Sequence, residues 1–475
     1  MSKGSSAGSA PVYQDLAMIS INKAVKFSVF VQIVSKGIGL LANIILIRLL
    51  PINIIGGFAL LGNSAQSLSS IARFGTDYNY QITACKLPPA MRGGIQKQFL
   101  GWNAIFSAVA AILAIPFLYP SLYPLGSSPW LIAFIAAYLF IESYVDVLWE
   151  PVLARRDYNQ VFGRHLQVAF SKAILPLIFG IMYGWNGLVA GLFIATSLNV
   201  LAAVISLRQL PEANGKSLPL KIFFRAGLPF YLVPLIQQLI FWPAILYLGA
   251  DRGLASVGLL KVAQLVVQVV GVLPASLVPI VFIENAHGSD NAHFQLLKGL
   301  HAVALSGLAI FAIYTLVDST ILPRIFGLNY SNAILPARAM LLAAVCNGAS
   351  QIFQQQAFEG KLLQQLSILQ VSVLLVVAPI GIIWWLPLNG VEGFGWLNLA
   401  VAFFTLLALI IWDPNKIMLR KEHVLIGIVL LLIAPLAVIP AHGLLAWCVP
   451  AVALVLIVIS SRGLLRFVNW RIIQR

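Results

Sequence analysis

"RLLPINIIGGFALLGNSAQSLSSIARFGTDYNY", residues 48–80, closes one apolar run with an arginine and turns a corner at a proline. It then enters a second run that carries Gly62, Asn63, Ser64, Gln66, Ser67, Ser69 and Ser70. The surrounding chain of 475 residues is 60% hydrophobic and 9% charged, where soluble proteins carry about 25% charged residues. Apolar runs long enough to span a bilayer, about 18 residues or more, recur from end to end, and no polar stretch is long enough to build a soluble core. The fold class is therefore an all-α polytopic membrane protein. Small and amide residues inside such a span have two readings. They let helices approach closely, or they line a wet cavity.

The apolar runs predict fourteen transmembrane helices, at 27–50, 54–74, 99–119, 129–149, 165–183, 186–207, 224–248, 256–283, 300–322, 334–358, 366–386, 391–412, 423–440 and 444–461. Of the 30 Lys and Arg residues, Arg48, Arg252 and Arg324 fall on one side of this map, and Lys36, Lys172, Lys261 and Arg338 fall inside spans. The other 23 share the side of the N-terminus. By the positive-inside rule that side is cytoplasmic, and an even helix count places both termini there. The formal net charge of +15 has the same origin, so nucleic acid is not an expected partner. The polar start, "MSKGSSAGSAPVYQDL", lacks the short apolar core and cleavage site of a signal peptide.

Other chemistry is thinly represented. Cys85, Cys346 and Cys448 lie far apart, with neither disulfide nor zinc spacing. His287, His293 and His301 fit no metal motif, so no metal site and no catalytic residues are expected. A P-loop is absent. No outer loop is long enough to carry the acids of a membrane glycosyltransferase or polymerase.

The opening stretch has an echo about 200 residues on. "PINIIGGFALLGNSAQSL" follows the first span and "GADRGLASVGLLKVAQLV" follows the seventh. Each sets a glycine turn before a Leu-Leu and an Ala-Gln. The spacing equals six helices. It divides the chain into a tail (1–26), an N-terminal six-helix lobe (27–208), a linker (209–223), a second six-helix lobe (224–412) and a terminal pair with a basic tail (413–475). Transporters are often built from such repeats, with the substrate site between them. Pro229, Pro234 and Pro243 in the seventh span, and Pro274 and Pro279 in the eighth, are candidate kinks.

The corner Arg48-Leu49-Leu50-Pro51, the helix start Gly57-Phe58-Ala59-Leu60 and the turn Arg73-Phe74-Gly75 resemble the first hairpin of the polysaccharide-export flippases. These belong to the multidrug/oligosaccharidyl-lipid/polysaccharide transporter superfamily. The resemblance implies two pseudo-symmetric lobes around a central cavity. It also implies a flippase of the bacterial cytoplasmic membrane that moves undecaprenyl-pyrophosphate-linked oligosaccharide, such as an O-antigen unit, by alternating access. The implied partners are that glycan lipid, the membrane lipids and the polysaccharide polymerase machinery. No cofactor is implied beyond H+ or Na+ as coupling ion. A lipid II flippase or a multidrug exporter of the same superfamily is an alternative, and a non-transporting scaffold is a reading from another class.

Intramembrane charges are costly and mark sites by default. A pyrophosphate calls for cations, which makes Lys36, Lys261, Lys172, Arg338 and Arg48 the candidate anion contacts. Asn43, Asn63, Gln66, Gln237 and Gln238 are the candidate polar lining. Glu142, Asp146 and Glu150 fall at i, i+4 and i+8 on one helix face. Glu142 and Lys172 are expected at similar depth, as are Asp318 and Arg338, and Arg73 and Asp77 lie one turn apart. Glu142, Asp146, Asp318 and Asp77 are thus either structural acids or ion-coupling ones. The charge split makes a testable statement about topology: reporter fusions at Lys97, Ser217 and the C-terminus should read cytoplasmic, and one at Ser127 external. A C-terminus that reads external breaks the fourteen-helix map.

Overall fold

The structure, a computed structural model, describes residues 21–87, 92–126, 128–155, 158–208, 228–286, 292–354 and 361–412. The linker 209–223, the expected spans 423–440 and 444–461 with the segment 413–475, and residues His287 and Cys448 lie outside the described residues. Among the described residues every regular element is helical. In chain order these are α1 (Ile21–Leu49), α2 (Ile52–Ala72), α3 (Thr76–Lys86), α4 (Gly93–Leu122), α5 (Pro129–Leu153), α6 (Tyr158–Arg208), α7 (Leu228–Asp251), α8 (Leu254–Val267), α9 (Val272–Ala286), α10 (Ala292–Phe326), α11 (Ile334–Gln354), α12 (Lys361–Ile380), α13 (Leu386–Asn389) and α14 (Val391–Trp412). Nine of the described helical stretches are long and apolar enough to cross a membrane, and the bent pair α8–α9 makes a tenth.

Two predicted spans lie inside the single helix α6. Gly184 interrupts it with φ 58° and ψ −132°, a backbone conformation open to glycine and strained for other residues. The two arms fold back on each other. A Cβ added to Gly187 would stand 1.8 Å from the Phe179 carbonyl oxygen, and one on Gly191 2.8 Å from that of Leu175. The C-terminal half repeats the device. Gly390 has φ 57° and ψ −120°, and a Cβ on Gly393 would stand 2.0 Å from the Trp385 carbonyl oxygen. The two Gly-x-x-Gly turns, 184–187 and 390–393, are 206 residues apart. They form a second, stronger echo than the opening stretch offers.

Two expectations need correction. The loop expected at 75–98 contains α3, which buries Tyr80 and Ala84 against Phe99 and Ile95 of α4. Gly75, at φ 67°, turns the chain into it. The eighth span is broken rather than continuous: α8 and α9 meet at a 65° bend. Pro274 explains the position, because its ring excludes a helical bond to the carbonyl of residue 270, within the break. The eleventh span is found as expected, within Gln364–Asn389, with a π-helical turn at Gly381–Trp385 before the Gly390 hairpin.

The two halves pack as lobes, α1–α6 and α7–α14, joined along α2 and α8. The glycines of the opening stretch make that junction possible. A Cβ on Gly56 would lie 1.8 Å from the Leu254 carbonyl oxygen, and one on Gly258 would lie 2.7 Å from that of Ile52. Gly56 and Gly258 are 202 residues apart, and so are Ile52 and Leu254. The two contacts are therefore mates under a two-fold axis through the crossing. Gly57 faces side chains instead, with a Cβ there 2.4 Å from Leu125 Cδ1 and 3.0 Å from the Trp185 ring. Ser64, Ser67 and Ser69 are buried, whereas Gly62 and Gln66 stay exposed on α2. Close packing thus accounts for some of the small residues and an open surface for others.

Gly56→Ala should abolish a stable, monodisperse protein, because the obstacle is backbone. Gly62→Ala meets nothing within 4 Å and should hold or raise the melting temperature, since Ala favours a helix interior over Gly by about 1 kcal/mol. Fluorescence-detected size exclusion after heating compares the two.

Candidate functional site

The seam between the lobes carries paired polar side chains from opposite halves. Asn63 and Gln264 exchange amide bonds, at 3.2 Å from Asn63 Nδ2 to Gln264 Oε1 and 2.8 Å in return. Along α7, Trp242 Nε1 donates to Ser64 Oγ (3.0 Å) and Tyr231 OH donates to the Ile71 carbonyl (2.8 Å), while Gln238 Oε1 accepts from Ser67 Oγ (2.7 Å). On the other side of the axis, Ser28 Oγ donates to the Ser276 carbonyl (3.3 Å) and Lys36 Nζ to the Gln268 carbonyl (3.3 Å).

The five candidate cations separate into two groups. Arg338 grips both oxygens of Asp318 from α11 to α10, with side chains 9% and 1% exposed. Lys172 bonds Glu142, whose other oxygen accepts from Thr196 Oγ1 at 2.8 Å, so the group ties α5 to both arms of α6. Arg48 donates to the carbonyls of Ile325 and Arg324 at the end of α10, where a cation meets unsatisfied carbonyls and the negative end of the helix dipole. Like Arg48, Lys36 and Lys261 have no carboxylate within 4 Å among the described residues, but Lys36 has one carbonyl where Arg48 has two, and Lys261 has an aromatic ring. Lys261 Nζ lies 5.2 Å from the centroid of the Phe58 ring, within cation–π range.

Lys36 lines a cavity of about 350 Å³ between α1, the α8–α9 break and α10, with Ile33, Gly37, Val269, Leu273 and Ser306. Ile33 and Val269 are 57% and 45% exposed, so the cavity is open to the surface. The break is what gives Lys36 its partner, because helix interiors offer no free carbonyls. Lys261 sits seven residues before Gln268 on α8, ~10 Å along the helix.

Of the polar candidates, Asn63 and Gln238 bridge the lobes. Asn43 Nδ2 bonds its own helix, at the Gly39 carbonyl, at 2.6 Å. Gln66 is exposed and Gln237 partly so. Among the acids, Arg73 collects Asp146 (2.7 Å) and Asp77 (3.5 Å). Glu150, on the same face as Glu142 and Asp146, accepts from the Gln81 amide and has no cation within 4 Å among the described residues. Sequence reasoning places Glu150 in the stripe but not among the candidate site residues, because its partner Gln81 falls in an expected loop. Gln264 is also missed, although the Ala-Gln echo contains it. No group of three or more His, Cys, Asp or Glu among the described residues could hold a metal.

No family model matches the chain, and no curated protein matches it. Solved structures do. The lipid II flippase MurJ in an inward closed conformation superposes with a TM-score of 0.64 at 13% identity, covering 94% of this chain and 100% of that one. A MATE protein in complex with MaL6 gives 0.60 at 14% identity, covering 85% and 97%. A transporter of the MOP superfamily from Pyrococcus furiosus gives 0.57 at 16%, covering 84% and 97%. The chain has the fold of these multi-pass membrane transporters.

The two kinds of ion pair predict different costs. Asp318→Asn strands an enclosed guanidinium, at about 3–5 kcal/mol. Asp146→Asn removes a partner that is 57% exposed, at about 0–1 kcal/mol. Thermal melts in detergent should show a large drop for the first variant and little change for the second. Equal drops would mean that the Asp318–Arg338 pair is not enclosed as described.

Proposed function

We propose that the chain is a flippase for polyprenyl-pyrophosphate-linked glycans, with Lys36 as the first contact for the pyrophosphate and Lys261 as a second. The observation that carries this reading is the division of the cations. Arg338 and Lys172 are held by carboxylates and Arg48 by two carbonyls at the end of α10, whereas Lys36 has a single helix-end carbonyl and Lys261 the face of the Phe58 ring, and these two sit at the lobe seam, one from each lobe. A cation bonded only to a neutral carbonyl gains a stronger, charge-assisted contact when an anion arrives. The amides and hydroxyls of Asn63, Gln264, Gln238 and Ser67 suit sugar hydroxyls. The apolar cavity beside Lys36, open to the surface, suits a prenyl chain whose headgroup enters the seam.

The α3 face is the cytoplasmic one on the charge count, so cargo meets Lys36 before Lys261. A proton or sodium gradient is the proposed driving force, with Glu150, held by an amide rather than a cation, as the proposed coupling acid. A lipid II flippase or a multidrug exporter is the second reading, and the structural likenesses support the two equally.

The decisive experiment is reconstitution in vesicles with a fluorescent polyprenyl-pyrophosphate disaccharide and, separately, lipid II. Wild type should move one of the two. Lys36→Glu should abolish movement while the protein still inserts. Lys36→Arg should keep part of it, since a point-charge contact needs charge more than geometry. Normal transport by Lys36→Glu removes Lys36 as the anion contact, and transport of neither lipid by wild type leaves the scaffold reading.

A further inference from the structure

We propose that Phe74 and Tyr231 form a latch that closes the lobe seam at the α3 face, and that parting these two rings is the step that opens the protein on that side. The inference concerns the protein without cargo and does not depend on which lipid it carries.

Phe74 is the one residue other than glycine with positive φ among the described residues, at 47°. An L side chain is strained in this left-handed region, and such strain persists only where the surroundings fix it. Two sets of contacts do so. On the α2 side, Arg73 Nη2 bonds Ser69 Oγ (2.8 Å) and Asp146 Oδ2 (2.7 Å), which pins the residue just before the turn to its own lobe. On the other side the Phe74 ring lies 5.2 Å from the Tyr231 ring at an interplanar angle of 30°, and 4.8 Å from the Phe106 ring. Phe106 belongs to α4 of the same lobe. Tyr231 belongs to α7 of the other lobe.

Tyr231 makes a second contact. Its hydroxyl donates to the Ile71 carbonyl at 2.8 Å, one of the last carbonyls of α2, which have no partner within their own helix. One C-lobe side chain thus stacks on the strained turn and caps the helix leading into it. Tyr231 is 3% exposed and Phe74 42% exposed, so the contact sits at the rim of the seam. Pro234, three residues after Tyr231, lacks a helical donor and loosens α7 just above it.

The mate of this contact under the two-fold axis is weaker. It is Ser28 Oγ donating to the Ser276 carbonyl at 3.3 Å, with no ring on the serine. Among the described residues, only one of the two seams therefore carries a strained turn clamped by an aromatic pair. Separation of the lobes at the α3 face would lose the stack and the cap together, and would free the Phe74 backbone to leave the left-handed region.

The test reads seam opening without cargo. Ser67→Cys places a thiol at a buried position above the latch, where it meets Gln238. Cys85→Ala and Cys448→Ala remove two of the three native thiols, and Cys346, fully buried, stays. A membrane-impermeant maleimide is then applied to vesicles from either face. Phe74→Gly removes the ring and keeps the left-handed turn. Tyr231→Phe keeps the ring and removes only the cap, which guards against a variant that fails to fold. Phe74→Gly should raise labelling from the α3 face by about tenfold or more, Tyr231→Phe should raise it less, and labelling from the opposite face should not change. Unchanged labelling in both variants overturns the latch. An equal rise from both faces does so too, because it reports loosened packing rather than a gate.

Discussion

The crossing of α2 and α8 is the constraint on which the rest of the molecule depends. With Gly56 packed against Leu254 and Gly258 against Ile52, the two backbones touch where a methyl group on either helix would collide with a carbonyl. In a bilayer, where apolar side chains gain nothing over lipid by meeting one another, such close approach is a principal source of helix association. The two-fold relation between these contacts means that one geometry is satisfied twice. A helix held there is enclosed by both lobes, so it can carry Asn63, Ser64 and Ser67 without exposing them to hydrocarbon. That is the physical answer to a polar sequence in a transmembrane position.

Charge is distributed by the same logic. Asp318–Arg338 lies within one lobe and Glu142–Lys172–Thr196 within the other, each tying neighbouring helices of a single unit. The ties between lobes are neutral: amide to amide, hydroxyl to carbonyl, indole to hydroxyl. An enclosed ion pair is expensive to break, whereas a neutral hydrogen bond contributes about 0.5–1.5 kcal/mol net. Lobes that are internally rigid and mutually held by modest bonds are what rocking motion requires. Three cations are the exceptions, each set on a neutral group of the other lobe: Lys36 on the Gln268 carbonyl, Arg48 on the carbonyls of Arg324 and Ile325, and Lys261 over the Phe58 ring.

Much of this was legible in the sequence. Apolar run lengths set the spans, and the depth of each charge pointed to the Glu142–Lys172 and Asp318–Arg338 contacts, because a span fixes height along the membrane normal. What was not legible depends on rotation about that normal or on local backbone. The helix α3 is short and polar, so nothing in its hydropathy set it apart from loop. The α8–α9 break needed Pro274 to be read for the carbonyl it excludes rather than as a generic kink. Gly184 and Gly390 were readable as Gly-x-x-Gly turns 206 residues apart, but only to a search for spacing rather than hydropathy. The reciprocal Asn63–Gln264 bond joins residues 201 apart, and no local signal names such a partner.

The two-fold axis also explains why the two seams differ. Adding about 202–203 to the residues of α1 that reach across gives the corresponding residues of α7: Ser28 maps to Tyr231, Lys36 to Gln238, and the Gly39–Leu40 pair to the Phe241–Trp242 pair. The backbone frame is common, and the filling is not. On the α7 side, Tyr231, Gln238 and Trp242 each reach α2, and the aromatic rings close the space. On the α1 side, a Cβ added to Gly37 or Gly39 would meet nothing within 4 Å, and a cavity remains where the other seam has an indole. A pseudo-symmetric scaffold has thus been made asymmetric by replacing bulk with glycine and an amide with a lysine. The cation beside that cavity, Lys36, meets no carboxylate among the described residues. The open space and a cation bonded only to a neutral carbonyl therefore lie together on the α1 side of the axis.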